Sequence, residues 1–130
     1  MSHNDHSMRT PMGKVRYLGS AKSGTTHVWH QRLTAYALLP LSIFFVILIL
    51  SLIGKDYNSA RAILAAPYVS ILILLFIGSG IYHMQLGMRV IIEDYVHAHG
   101  SKTALLVANT FFSVCIGISA AYAVLKLSLA

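Results

Sequence analysis

Two groups of polar side chains in an otherwise apolar chain have types and spacings that support chemistry. The first centres on His83. At about 100° per residue on a helix, Gly80, Gly87 and Asp94 fall within about 60° of it on one face. A histidine with a glycine one turn away on either side leaves a flat clearing, the room that a bulky planar group bound through the imidazole requires. The same spacing suits close helix–helix contact through the two glycines, with His83 as a bridging hydrogen bond. An ionisable side chain within a lipid-spanning helix needs a partner to offset its desolvation. For His83 that partner is a carbonyl, a carboxylate or a metal.

The second group is Arg89, Glu93, Asp94, Tyr95, His97 and His99. One reading is a solvated helix end with snorkelling charges. The other is a wet–dry boundary, where a phenol and a carboxylate exchange protons with a small polar molecule arriving from lipid. Quinone reduction has this requirement, since each two-electron step takes up two protons. Trp29, His30, Gln31 and Arg32 are expected at the same depth, with Arg32 suited to an anionic group such as a lipid phosphate.

The elements that position these groups follow from the charge pattern. Residues 33–54, 62–88 and 103–125 are free of formal charge. Each exceeds the roughly 20 apolar residues that a helix needs to cross a bilayer core. Only helices satisfy every backbone hydrogen bond in lipid at this length. Of 130 residues, 56% are hydrophobic and 11% charged, against about 25% charged in a soluble domain. A disordered chain is excluded by that apolar content. The fold class expected is therefore all-α integral membrane, with three transmembrane helices at about 33–54, 66–96 and 103–125. A basic arm, 1–32, precedes the membrane domain, 33–130. The second helix is carried past Arg89 to Val96 because Val90, Ile91 and Ile92 continue its apolar pattern. Pro67 suits its first turn, and Gly100 reads as a helix stop beyond it. Residues 55–61 read as a tight loop.

The net charge of +6 acquires meaning against a bilayer, and no nucleic-acid partner is implied. Arg9, Lys14, Arg16, Lys22, Arg32, Arg89 and Lys102 lie on one side of the spans; Lys55, Arg61 and Lys126 lie on the other. The positive-inside bias places the N-terminus in the cytoplasm, or its mitochondrial equivalent, and the C-terminus in the periplasm. Trp29 and Tyr36 would mark the inner interface, Tyr57, Tyr68 and Tyr122 the outer one. The first and third spans read as packing elements that offer only hydroxyls, with Pro40 kinking the first. Ser113, Gly117, Ser119, Ala120 and Ala121 permit close approach of the third. Cys115 reads as inert packing.

The run from His83 through Gly87 to Asp94-Tyr95-Val96 resembles the family of hydrophobic membrane anchors of succinate dehydrogenase (complex II), whose pattern is a His, a Gly four residues on, and then Asp-Tyr-Val. The lead into the first helix, from Gly19-Ser20-Ala21-Lys22-Ser23-Gly24 to Trp29, Gln31-Arg32 and Thr34-Ala35, is similar too, with an alphaproteobacterial flavour. The resemblance covers residues 9–126. It implies a three-helix anchor paired with a second three-helix anchor (cytochrome b) subunit, sharing one haem b and supporting an iron–sulfur subunit and a flavoprotein subunit. It implies a bacterial inner (plasma) membrane rather than a mitochondrial one. By the same resemblance His83 matches the axial haem-iron ligand, and Tyr95 and Asp94 match the ubiquinone site. Arg32 matches an arginine near the haem propionates, with His27 or His30 sharing that role. Glu93 has no counterpart.

One deep histidine is half of a six-coordinate haem site, so a haem would be shared with another polypeptide. With Cys115 as its single cysteine and no flavin motif, the chain cannot oxidise succinate alone. A haem-free structural anchor is the alternative. A transporter or channel subunit would need polar side chains on more than one helix.

Overall fold

The computed structural model describes Thr10, Met12 and residues 24–129. The basic residues Arg9, Lys14, Arg16 and Lys22 lie outside the described residues. From residue 24 onward four helices follow one another: α1 Gly24–Leu52, α2 Tyr57–Ala65, α3 Pro67–Tyr95 and α4 His99–Leu129. Among the described residues, three of these (α1, α3 and α4) are long and apolar enough to cross a membrane.

Three boundaries differ from those expected. The first helix begins at Gly24 rather than near residue 33, so Trp29, His30 and Arg32 stand on it. The second span begins where expected, with the charge-free window 62–88 divided at Ala66 (φ −60°, ψ 127°). A residue before proline is pushed out of the helical region, and Pro67 then opens α3. Residues 57–65, expected as a loop over 55–61 followed by the charge-free residues before the second span, instead form α2. Asp56 caps it, its side chain accepting from the backbone N–H groups of Asn58 and Ser59. Gly100 does not stop a helix. It lies in the first turn of α4, and the connection is residues 96–98. The remaining turn needs its glycine: Gly54 closes α1 at φ +74°, a conformation that side chains with a Cβ rarely adopt.

Packing divides the bundle along its length. Leu48, Val69 and Ile73 are buried toward the α2 end, with Phe44, Leu52, Ile63, Leu64, Ile77 and Val124 against them. Phe45 stacks on Phe76 with centroids 4.6 Å apart, and Ser70 Oγ donates to the Leu64 carbonyl at 2.8 Å, tying α3 to the last turn of α2. α4 meets α3 through small residues: Ser113 is buried, and a Cβ on Gly117 would lie 3.7 Å from Ile81 Cδ1. Ser119 and Cys115 instead point outward, so Cys115 is not packed within this chain. α1 runs without a break through Pro40, whose missing N–H leaves the Tyr36 carbonyl without its helical donor. Trp29, Tyr36, Tyr57, Tyr68 and Tyr122 all face outward.

Candidate functional site

The other half of the bundle is polar where its helices meet. α1 runs antiparallel to α3, and three side chains of α1 face three positions of α3 in register, with a fourth contact made by Tyr82 reaching along the seam. Leu38 Cδ2 lies 3.8 Å from where a Cβ on Gly80 would stand, and Gln31 Nε2 lies 3.7 Å from the equivalent point on Gly87. Between them Thr34 Oγ1 is 3.0 Å from His83 Nδ1, and one turn back Tyr82 Oη is 3.1 Å from His30 Nδ1. The clearing beside His83 is thus occupied from within the chain by α1. His83 itself is half-buried, just past the middle of α3, with Nδ1 engaged on Thr34. Its Nε2 has no hydrogen-bond partner among the described residues, which leaves that nitrogen able to ligate a metal.

On its other flank α3 is bound to α4. Asn109 Nδ2 donates to the Gln85 carbonyl at 3.0 Å, and Gln85 Nε2 to Thr110 Oγ1 at 3.4 Å. The third span therefore offers an amide as well as hydroxyls, contrary to expectation. A cleft of about 460 Å³ opens here, lined by His27, Tyr82, Gln85, Arg89, Asn109 and Phe111 among others. Sequence reasoning does not single out Tyr82, Gln85 or Asn109. Their polar type within apolar windows is the signal that could have found them.

The end of α3 carries the second cluster. Asp94 and Tyr95 are exposed, Tyr95 at 78%, and neither side chain is hydrogen-bonded among the described residues. Glu93 acquires a role: its carboxylate takes Arg89 Nε at 2.8 Å, one helical turn away, and its carbonyl accepts from Lys102 Nζ at 2.7 Å. A basic group on the last carbonyls of a helix is well placed against its dipole. His97 Nδ1 contacts the Tyr95 carbonyl at 3.1 Å. His99 opens α4.

The expected site residues are not all brought together. The α1–α3 register sets Arg32 level with Leu86, roughly 12 Å along the axis from Asp94 at 1.5 Å per residue. His30, Gln31 and Arg32 therefore sit deeper than the Asp94–Tyr95 end, not at its depth. Arg32 is near His83 in height, but two residues from Thr34 it projects about 160° away around α1 and is exposed. His27 and His30 stand on the α3-facing side of α1.

Among the described residues, three helices apolar enough to cross a membrane and a polar seam in one half, with one mid-span histidine, are the features of an integral membrane subunit. Residues 6–117 match the model of the succinate dehydrogenase/fumarate reductase transmembrane subunit family, and the chain belongs to that family. It is 30% identical to the succinate dehydrogenase hydrophobic membrane anchor subunit of Paracoccus denitrificans, over 92% of each chain. It is 33% identical to that of Rickettsia bellii, over 84% of this chain and 87% of the relative. The succinate dehydrogenase membrane anchor subunit of Reclinomonas americana is 34% identical over 72% and 78%. No solved structure matches the chain.

Proposed function

We propose that this chain is the hydrophobic membrane anchor of a succinate:quinone oxidoreductase, and that it helps hold a haem b and form the site where ubiquinone is reduced. Its partners are a second three-helix anchor (cytochrome b) subunit, an iron–sulfur subunit and a flavoprotein subunit, in a bacterial inner membrane with the N-terminus cytoplasmic and the C-terminus periplasmic. The observation that carries the reading is His83: a mid-span imidazole with Nδ1 engaged by its own chain and Nε2 unengaged among the described residues. This donor chemistry fits an axial haem ligand, and a histidine ligand is expected to hold its second nitrogen on a fixed partner. When bound, haem b supplies a one-electron site between the subunits.

The residues of this chain then act as follows. His83 would hold the haem through Nε2, and the partner anchor would supply the other protein ligand. His27 and His30, on the α3-facing side of α1, are the groups available to the haem propionates. Arg32, exposed on the opposite side of α1, would be the basic group at that height for an anionic group outside the bundle. Tyr95 donates its phenolic hydrogen to a quinone carbonyl, and Asp94 beside it delivers a proton from the aqueous side. Both side chains are exposed at the end of α3, and the partner subunits complete the enclosure.

A haem-free structural anchor is the second reading. It is favoured by the packing of Gly80 and Gly87 against α1, which needs no pigment. Purification of the complex in mild detergent separates the two. Co-purification with the three partners and a low-spin b-type signal in the reduced-minus-oxidised spectrum support the first. A complete complex without haem establishes the second.

A further inference from the structure

Thr34 Oγ1 stands 2.9 Å from the His30 carbonyl and 3.0 Å from the Gln31 carbonyl, the acceptors one turn back along α1. A hydroxyl has one hydrogen, and both carbonyls lie in position to accept it. With the hydrogen on those carbonyls, the oxygen that meets His83 Nδ1 at 3.0 Å offers only lone pairs, and the hydrogen in that contact is then the imidazole's. A neutral imidazole carries a single N–H. With it on Nδ1, Nε2 is a bare lone pair. The hydrogen bond on one ring nitrogen decides the tautomer, and with it what the other nitrogen can bind.

We propose that Thr34 is a positioning residue for haem ligation: its hydroxyl, oriented by two carbonyls of α1, holds His83 as the Nδ1–H tautomer and fixes the ring so that Nε2 is presented to iron. This rests on the reading of His83 as the haem ligand. The glycines acquire a role in the same device. With Leu38 against Gly80 and Gln31 against Gly87, α1 approaches α3 closely enough for a side chain as short as threonine to reach the imidazole. A fixed acceptor on Nδ1–H also makes the ligand more basic, which favours ferric over ferrous iron and lowers the haem potential.

The test uses the purified complex carrying Thr34→Val, which keeps the volume and loses the hydroxyl, and Thr34→Ser, which keeps the hydroxyl. The readouts are redox titration of the haem band, the low-spin electron paramagnetic resonance signal, and haem retained per complex. Thr34→Val is expected to raise the midpoint potential, shift the low-spin g-values and weaken haem retention by about tenfold or more. Thr34→Ser is expected to match the parent. A Thr34→Val complex with the parent's potential and g-values overturns the proposal, whatever happens to its yield. Thr34→Ser behaving like Thr34→Val overturns it as well, since the methyl would then be the important group. If Thr34→Val does not assemble, Thr34→Cys, whose sulfur is a weak acceptor, is expected to show the same upward shift, and an unshifted potential there overturns the proposal. His83→Ala separates the two levels. Haem retained in His83→Ala removes the ligand reading itself, whereas haem lost there beside an unmoved Thr34→Val refutes only the role of Thr34.

Discussion

Asn109 on α4 donates its amide hydrogen to the backbone carbonyl of Gln85 on α3 at 3.0 Å, two residues beyond His83. A carbonyl inside a helix already accepts from its own chain, so this bond ties α4 to the stretch of α3 that carries the histidine without breaking that helix. Hydrogen bonds between helices in membranes average about 0.6 kcal/mol and reach about 1.7. Asn109→Leu is therefore expected to destabilise the bundle by about that amount. Thermal denaturation of the purified complex measures it, and an unchanged or raised midpoint temperature would show that the bond contributes nothing.

Gly80 and Gly87 differ in what they tolerate by the size of the replacement. A Cβ at either position meets α1 at ordinary van der Waals distance, 3.8 and 3.7 Å. Alanine also raises helix propensity by up to about 1 kcal/mol over glycine. Gly80→Ala should keep or slightly improve stability, whereas Gly80→Leu should push Leu38 away and part Thr34 from His83. Haem content and thermal stability of the two variants should diverge. Equal loss in both would contradict the packing described.

Tyr95 is 78% exposed and makes no side-chain hydrogen bond among the described residues, so removing its hydroxyl leaves nothing inside the chain unsatisfied. Tyr95→Phe should assemble normally and keep its haem spectrum. Succinate–quinone reductase activity should fall by about tenfold, the value of one hydrogen bond to the reacting carbonyl. Parent-like quinone reduction would remove Tyr95 from the site.

Asp56 gives a pH dependence with a definite sign. The Ser59 hydroxyl and backbone N–H, with the Asn58 N–H, hold its carboxyl below the ordinary 3.8. A carboxyl with its pKa lowered by folding stabilises the folded form above the unfolded value, and that stability is lost as pH falls through the folded value. The protection factors of the amides in α2's first turn, with the intrinsic acid slowing of exchange divided out, should therefore fall as the pH is taken below the ordinary 3.8. Asp56→Ala should show the lower protection already at neutral pH. Protection that is the same in both proteins would show that the cap does not hold α2.

The spans are legible in the sequence because charge-free length is a local property. Residues 33–54, 62–88 and 103–125 all fall on helices that cross the bundle, apart from the turn at 53–54 and the few residues at 62–66. Where the boundaries differ, the cause is also local. Pro67 marks a helix start, and the same ring drives Ala66 out of the helical region and so separates α2 from α3. Gly100 has the composition of a stop, although a glycine fits a first turn equally well. The partners of His83 are less visible. That Thr34 faces it depends on the register of α1 against α3, which no spacing within either helix contains. Asn109 and Gln85 are hidden for the same reason. Arg32 shows the converse: the resemblance groups it with His27 and His30, but the helix carries it to the opposite face.

Whether His83 ligates a haem shared with the partner anchor is open to one direct measurement. The complex carrying His83→Ala is purified with its partners, and its reduced-minus-oxidised spectrum is compared with that of the parent. The expected result is loss of the low-spin b-type signal from a complex that still contains all its subunits. A spectrum identical to the parent's in intensity and position would contradict the assignment.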